Sequence, residues 1–180
     1  EDSITLFCHG LGIAGYNDFK LALAKTDHVT DMGEMSDSPQ SIASEDSLNT
    51  IFQKIHKASV LSLNETLDLL DEEAINKAVD LLVGADRVYC FGHGGSMVMA
   101  MEAWARFSTA SSRFVQVTDS HMQIMTTALA TSRDVLLVFS YSGSTKDMED
   151  TLQIAHENNV PVILITHFPN SKAAQFADVV

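Results

Sequence analysis

The sequence predicts an α/β chain. Its larger part is a doubly wound parallel sheet with helices on both faces, preceded by a partial all-α unit. Three observations lead there. From residue 87 onward, short apolar runs alternate with helix-like stretches. The runs are continuously apolar, as in Val135-Leu136-Leu137-Val138-Phe139, which is how strands buried on both faces read. Two of them end in a Gly/Ser loop that opens a helix: Gly92-His93-Gly94-Gly95-Ser96 and Ser140-Tyr141-Ser142-Gly143-Ser144-Thr145.

In chain order, Ile4, Leu6, Phe7, Cys8 and Leu11 recur at helical spacing over residues 2–11, with Gly12 as the stop. Tyr16, Phe19, Leu21 and Leu23 suggest a second short helix after Gly15. Two such helices do not make a core, so they read as the end of a larger helical unit. Residues 26–44 are polar and poor in large apolar groups, which predicts a linker. Leu48, Ile51, Phe52 and Ile55 begin a helix that runs toward Leu69, and Asp71 to Leu82 makes another with Ile75, Val79 and Leu82 on one face. Strands are expected at 87–91, 113–118, 134–139 and 161–166, and helices at 96–108, about 121–130, 145–158 and 171–177. The chain opens without Met, and Val179-Val180 reads as the start of another strand, so the sequence is expected to be part of a longer protein, cut short at its C-terminal end.

The 180 residues are enough for one substantial core and a small appendage. Hydrophobic residues make up 46% of the chain, yet no apolar run reaches membrane-spanning length and no secretory signal peptide stands out. Cys8 and Cys90 are far apart in apolar settings, which argues against a disulfide framework and for a reducing cytoplasm. No Cys/His spacing calls for zinc, and no cofactor or metal is predicted. A net charge of −13 argues against a general grip on nucleic acid, while leaving room for a small DNA-reading module.

In a doubly wound sheet of order 2-1-3-4, the first and third strands are neighbours whose crossovers go to opposite faces, and a crevice opens at their carboxyl ends. Both Gly/Ser loops follow those strands, so the topology sends them to one switch point. Gly94 and Gly95 let backbone approach a ligand, and Ser96 falls where a helix N-cap belongs. Ser140, Ser142, Ser144 and Thr145 offer hydroxyls, and Ser144-x-x-Asp147 matches a capping box. Such donors at a helix start suit a phosphate without requiring Lys or Arg. Taken singly, each loop also reads as a plain tight turn or cap; two loops at matched places favour a ligand.

These loops resemble those of SIS (sugar isomerase) domains, over residues 45–180. The resemblance implies a five-stranded parallel sheet, a homodimer or homotetramer, and a sugar phosphate at the switch point. It further implies that Ser96, Ser140, Ser142 and Thr145 hold the phosphate; Gly94, Gly95, Ser144 and His121 complete the expected phosphosugar site. The front end, with Phe7-Cys8, Leu11-Gly12 and Gly15-Tyr16-Asn17-Asp18-Phe19-Lys20, is similar to the close of the helix-turn-helix domain in RpiR-type transcriptional regulators, as are Asn64-Glu65-Thr66 and His121-x-Gln123. That implies residues 1–25 as the C-terminal part of a helix-turn-helix domain, a DNA operator as partner, and Ser3, Thr5 and His9 as candidate DNA contacts. The chain departs from the family's basic recognition helix: residues 1–25 hold three acidic residues and two Lys.

Two functions follow. The first is a phosphosugar-responsive transcriptional regulator, in which ligand binding changes the spacing of DNA-binding heads in a cytoplasmic dimer. The second is an aldose–ketose phosphate isomerase or lyase, which needs a placed acid and base; Glu65, Glu102, His93 and His121 are the available groups. None sits in a motif that demands catalysis, and the helical front end favours the regulator. A dinucleotide site is set aside, because Gly92-x-Gly94-x-Ser96 lacks the third glycine.

Overall fold

The computed structural model describes residues 2–20 and 41–180. Most of the expected linker lies outside the described residues, as does the second half of the second short helix. The chain divides into two compact units, residues 1–70 and 71–180.

In the first unit, α1 spans Asp2–Gly10. It ends as the sequence suggests, on Gly12 at φ 74°: the Gly12 N–H donates to His9 O at 3.0 Å and the Ile13 N–H to Cys8 O at 2.9 Å. This paired closure needs a left-handed residue that glycine adopts without strain. Residues 16–20 are helical, and Phe19 packs edge-on against Phe7 at 5.6 Å. Helix α2, Leu48–Leu69, starts on Ser47, whose hydroxyl accepts from the Thr50 N–H at 3.2 Å. Lys54 pins the preceding segment by donating to Asp46 Oδ2 and to Ser41 O, each at 2.6 Å. No residue of α2 is buried, although it carries Leu48, Phe52, Ile55, Leu63 and Leu67.

The second unit opens with α3, Glu72–Gly84, capped by Asp71, which accepts from the Glu73 N–H at 3.0 Å. Strand and helix then alternate: β1 Val88–Gly92, α4 Gly95–Ser108, β2 Phe114–Gln116, α5 Ser120–Leu129, β3 Val135–Phe139, α6 Lys146–Glu157, β4 Val162–Ile165, and a 3-10 turn at Ala173–Phe176. The sheet is parallel, in the order β2-β1-β3-β4 that the sequence predicts. The resemblance implied five strands. Among the described residues the fifth place holds one bridge, Ile163 to Val179, too short a stretch for a ladder.

Period-two alternation divides each strand between two cores. Phe91, Leu136, Val138 and Leu164 enter one, with Met148, Leu152 and Ala155 of α6. Val88, Cys90, Val135, Leu137 and Ile163 enter the other, with Ala74 and Ala78 of α3 and Ala100 and Trp104 of α4. Helix α4, leaving β1, therefore covers the face opposite to α6, which leaves β3. That divergence is the switch point, and the register Gly92↔Phe139 brings the two loop starts side by side.

Candidate functional site

The first loop is tight because α4 sits on the end of β1. A Cβ on Gly92 would stand 2.6 Å from Ser96 O, so glycine is required there for packing. Gly94, at φ 54° and ψ −126°, is the N-cap of α4, not Ser96 as the sequence suggested; Ser96 is the second helical residue. The turn from left-handed Gly94 closes with the Ser96 N–H on His93 O and the Met97 N–H on Gly94 O, both at 3.1 Å.

In the second loop, buried Ser140 directly follows β3 and its Oγ accepts from the Gly143 N–H at 3.2 Å. Ser142 Oγ accepts from the Ser144 N–H at 3.4 Å. Each hydroxyl thus uses a lone pair within the loop and keeps its own O–H for another acceptor. Gly143 has φ 58°, and a Cβ on it would overlap Ser171 Oγ. The expected capping box does not form: Ser144 Oγ donates to Ser142 O, and the N-cap of α6 is Thr145, which makes no side-chain cap bond. The reason is local. Ser144 is drawn back into the loop, so the Thr145 hydroxyl stays uncommitted at the helix start. The first-turn N–H groups of Gly95, Lys146 and Asp147 take no backbone acceptor among the described residues.

The loops converge on one cleft of about 480 Å³, lined by Gly95, Ser96, Ser140, Ser142 and Thr145 together with His93, Met99, Phe139, Tyr141 and Met148. A second lobe of about 570 Å³ shares His93 and Thr145 and adds Gly94, Met97, Thr118, Asp119, Ser120 and Asp147. Ser144 lines a third recess with Ser142, Phe168 and Lys172; the Lys172 ammonium lies 3.8 Å from Glu149. Among the described residues no Lys or Arg lines the first two lobes.

The structure thus assembles seven of the eight expected phosphosugar residues around adjoining recesses. His121 stands apart, exposed as the second residue of α5 and outside the lining of all three. His93 and Tyr141 were not singled out as ligand contacts by sequence reasoning, although both lie inside the loop motifs. Tyr141 stacks on His167 at 5.0 Å. Fully buried Gln123 joins the ends of β1 and β2: its Nε2 donates to Val117 O at 2.8 Å and Gly92 O at 3.3 Å, and its Oε1 meets His93 Nε2 at 2.9 Å.

Of the acid–base candidates, His93 lines the cleft, Glu102 pairs with Arg106 on the exposed side of α4, and Glu65 is exposed on α2 of the first unit. Cys90, buried beneath the cleft in β1, has its thiol pushed up to about 12 by desolvation, which leaves it unreactive. Of the candidate DNA contacts, Thr5 and His9 are exposed on α1, and the His9 ring meets Ala14 O at 3.1 Å. Ser3 lies within α1, its side chain outside the described residues. Among the described residues no helix is long and apolar enough to cross a membrane.

Comparison with known proteins gives a consistent picture. The family model for the SIS domain matches residues 81–180. A helix-turn-helix-type transcriptional regulator of Haemophilus influenzae is 31% identical over 180 residues, covering all of this chain and 62% of that protein. The chain spans about three fifths of the length of the curated relatives it matches. The sugar isomerase domain of an RpiR transcription factor from Sphaerobacter thermophilus superposes with a TM-score of 0.68 at 26% identity, covering 72% of this chain and 73% of that one. Vibrio vulnificus NanR, solved with ManNAc-6P, shares the fold with a TM-score of 0.69 at 22% identity, over 98% of this chain and 60% of that one.

Proposed function

The chain belongs to the SIS domain family, and from that premise we propose that it is a phosphosugar-responsive transcriptional regulator. A sugar phosphate occupies the cleft at the switch point, and its binding alters the protein's hold on DNA. The observation that carries this reading is the convergence of two hydroxyl-bearing loops, with unpaired helix-start N–H groups, on one cleft between β1 and β3. Gly95, Ser96, Ser140, Ser142 and Thr145 hold the phosphate; Gly94 and Ser144 shape the adjoining recesses, and His121 reaches the ligand only if its side chain turns inward. Each charge-assisted bond to the phosphate contributes about 1.5–3 kcal/mol.

The DNA-binding part of the reading rests on the relatives, which are named as helix-turn-helix-type regulators. Residues 1–25 close the DNA-binding domain, with Ser3, Thr5 and His9 as contacts; residues 26–44 are the linker; residues 45–180 form the SIS domain. The protein works as a cytoplasmic homodimer or homotetramer, so that ligand binding changes the spacing of paired heads against operator half-sites. A coupling of ordinary size would change DNA affinity by about 5- to 150-fold.

The test is thermal stabilisation of the purified chain by N-acetylmannosamine 6-phosphate, glucosamine 6-phosphate and fructose 6-phosphate, each against its unphosphorylated sugar. A rise in Tm with a phosphosugar and none with its parent sugar supports the reading. No response from a folded protein removes it, and turnover of a phosphosugar would replace it with the isomerase.

A further inference from the structure

The amide of Gln123 has one possible orientation. Its nitrogen faces two backbone carbonyls, Val117 O and Gly92 O, which can only accept. The atom 2.9 Å from His93 Nε2 is therefore the amide oxygen, which also only accepts. His93 Nε2 must carry a hydrogen. In the neutral imidazole that makes Nδ1 the bare nitrogen, and it has no protein partner among the described residues. His93 itself lines both lobes of the cleft, directly beside Gly94 and Gly95.

We infer that His93 is a ligand contact that takes up one proton when a phosphate dianion occupies the cleft, and that Gln123 is the positioning residue deciding which ring nitrogen receives it. The proton comes from solvent to Nδ1, and the resulting Nδ1–H donates to a phosphate oxygen; no covalent bond forms. The inference rests on the phosphosugar reading above and extends it. Its physical basis is charge. Among the described residues neither lobe is lined by Lys or Arg, so His93 is the one lining group able to become a cation. The other titratable groups around it are Asp119 at the N-cap of α5, Asp147 in the first turn of α6 and Tyr141 in the second loop. The two carboxylates cannot hold a phosphate themselves. Lys146, exposed at the start of α6, lies outside the lining of both lobes. A dianion set among neutral donors beside this ring therefore favours its protonated form.

The experiment uses whichever of the three phosphosugars binds the full chain, titrated between pH 7 and 8.5. A phosphomonoester loses its second proton near pH 6, so over that window the charge of N-acetylmannosamine 6-phosphate or fructose 6-phosphate barely changes; glucosamine 6-phosphate, whose amine titrates in that window, is read as the difference between the wild type and His93→Gln. Affinity is expected to fall by up to tenfold per pH unit, and calorimetry in two buffers of different ionisation heat is expected to show proton uptake approaching one per ligand. In His93→Gln both signals vanish and affinity at pH 7 drops about tenfold or more. Gln123→Leu removes the acceptor that holds the hydrogen on Nε2, so the neutral ring can carry its hydrogen on Nδ1 and donate to the phosphate without taking a proton; proton uptake shrinks and the fall in affinity with pH flattens. A folded Gln123→Leu variant that keeps the wild-type profile overturns the positioning role. A pH-flat affinity in the wild type, with no dependence on buffer, overturns the role of His93 while leaving the phosphosugar site intact. Should His93→Gln fail to fold, the wild-type calorimetry decides alone. Absence of binding by all three sugars across the window removes the phosphosugar reading, and this inference with it.

Discussion

The carbonyl of Ser96 lies directly over the α-carbon of Gly92: a methyl group added to Gly92 would stand 2.6 Å from Ser96 O and 2.7 Å from Ser96 C. The obstruction is backbone, so no side-chain rotation relieves it. The last residue of β1 and the first turn of α4 are thereby held at a separation only glycine permits.

Gly92→Ala is accordingly expected to destabilise the second unit by roughly 1–3 kcal/mol, as overpacking against a rigid neighbour does. Chemical denaturation should show an earlier midpoint, and phosphosugar affinity should fall with it as Ser96 is displaced. A neutral effect on both would mean that α4 is free to shift.

Ser140→Ala and Ser96→Ala should each weaken phosphosugar binding about tenfold or more, with little change in Tm for Ser96→Ala and a lower Tm for Ser140→Ala, if each hydroxyl contributes one charge-assisted bond. Ser140 is the stricter test. It is buried and its Oγ also accepts from the Gly143 N–H, so its loss loosens the loop as well. Calorimetric titration of each variant, beside its thermal melt, separates the two effects.

Gln123→Leu removes the acceptor for His93 and the donor to Gly92 O and Val117 O in a fully buried place. Leaving those groups without partners should cost roughly 3 kcal/mol. Hydrogen exchange should quicken at the ends of β1 and β2 before it does in β3 and β4.

Cys90 gives an alkaline signature. Burial raises its thiol from 9.0 to about 12 in the folded chain. Above pH 9 the unfolded chain has lost the proton that the folded chain retains, so stability falls as pH rises through that window. The slope attributable to this thiol is on the order of 1 kcal/mol per pH unit. Stability curves of the wild type and Cys90→Ala should converge between pH 9 and 12, and thiol reagents should reach Cys90 only after unfolding.

Asp46 gives the acid counterpart at the start of α2. Its carboxyl is held below the usual range by the Lys54 hydrogen bond first and the Ala43 N–H second. A depressed carboxyl stabilises the fold above its unfolded pKa and loses that effect as pH falls through its folded one. Limited proteolysis near residues 41–46 should therefore increase below about pH 4, and Asp46→Asn should show that increase at neutral pH.

Sheet order and strand places were legible because the runs at 135–139 and 162–165 are apolar without interruption and the crossovers are helical. The meeting of the loops followed from topology alone. Helix starts were less legible. Ser96 and Ser144 both look like caps in the sequence, yet Gly94 and Thr145 occupy those places, because the left-handed turn at Gly94 and the Ser142–Ser144 bonds are set by the loops' own closure. The Gln123–His93 pair was not legible as a pair. It joins residues thirty positions apart through the ends of two strands, and no local pattern announces such a bond.

The lack of Lys and Arg around the two lobes among the described residues has a further consequence, for ionic strength. An anion approaching a cradle of hydroxyls on a chain of net charge −13 is repelled at long range and held at short range by donors that bear no charge until His93 takes its proton. Added salt shortens the range of that repulsion, to about 8 Å at 0.15 M, while barely touching the contacts themselves. Association should therefore quicken as salt is raised, opposite to an arginine-lined phosphate site. A phosphate held mainly by neutral donors would accordingly lose less affinity in a concentrated electrolyte than one held by arginine.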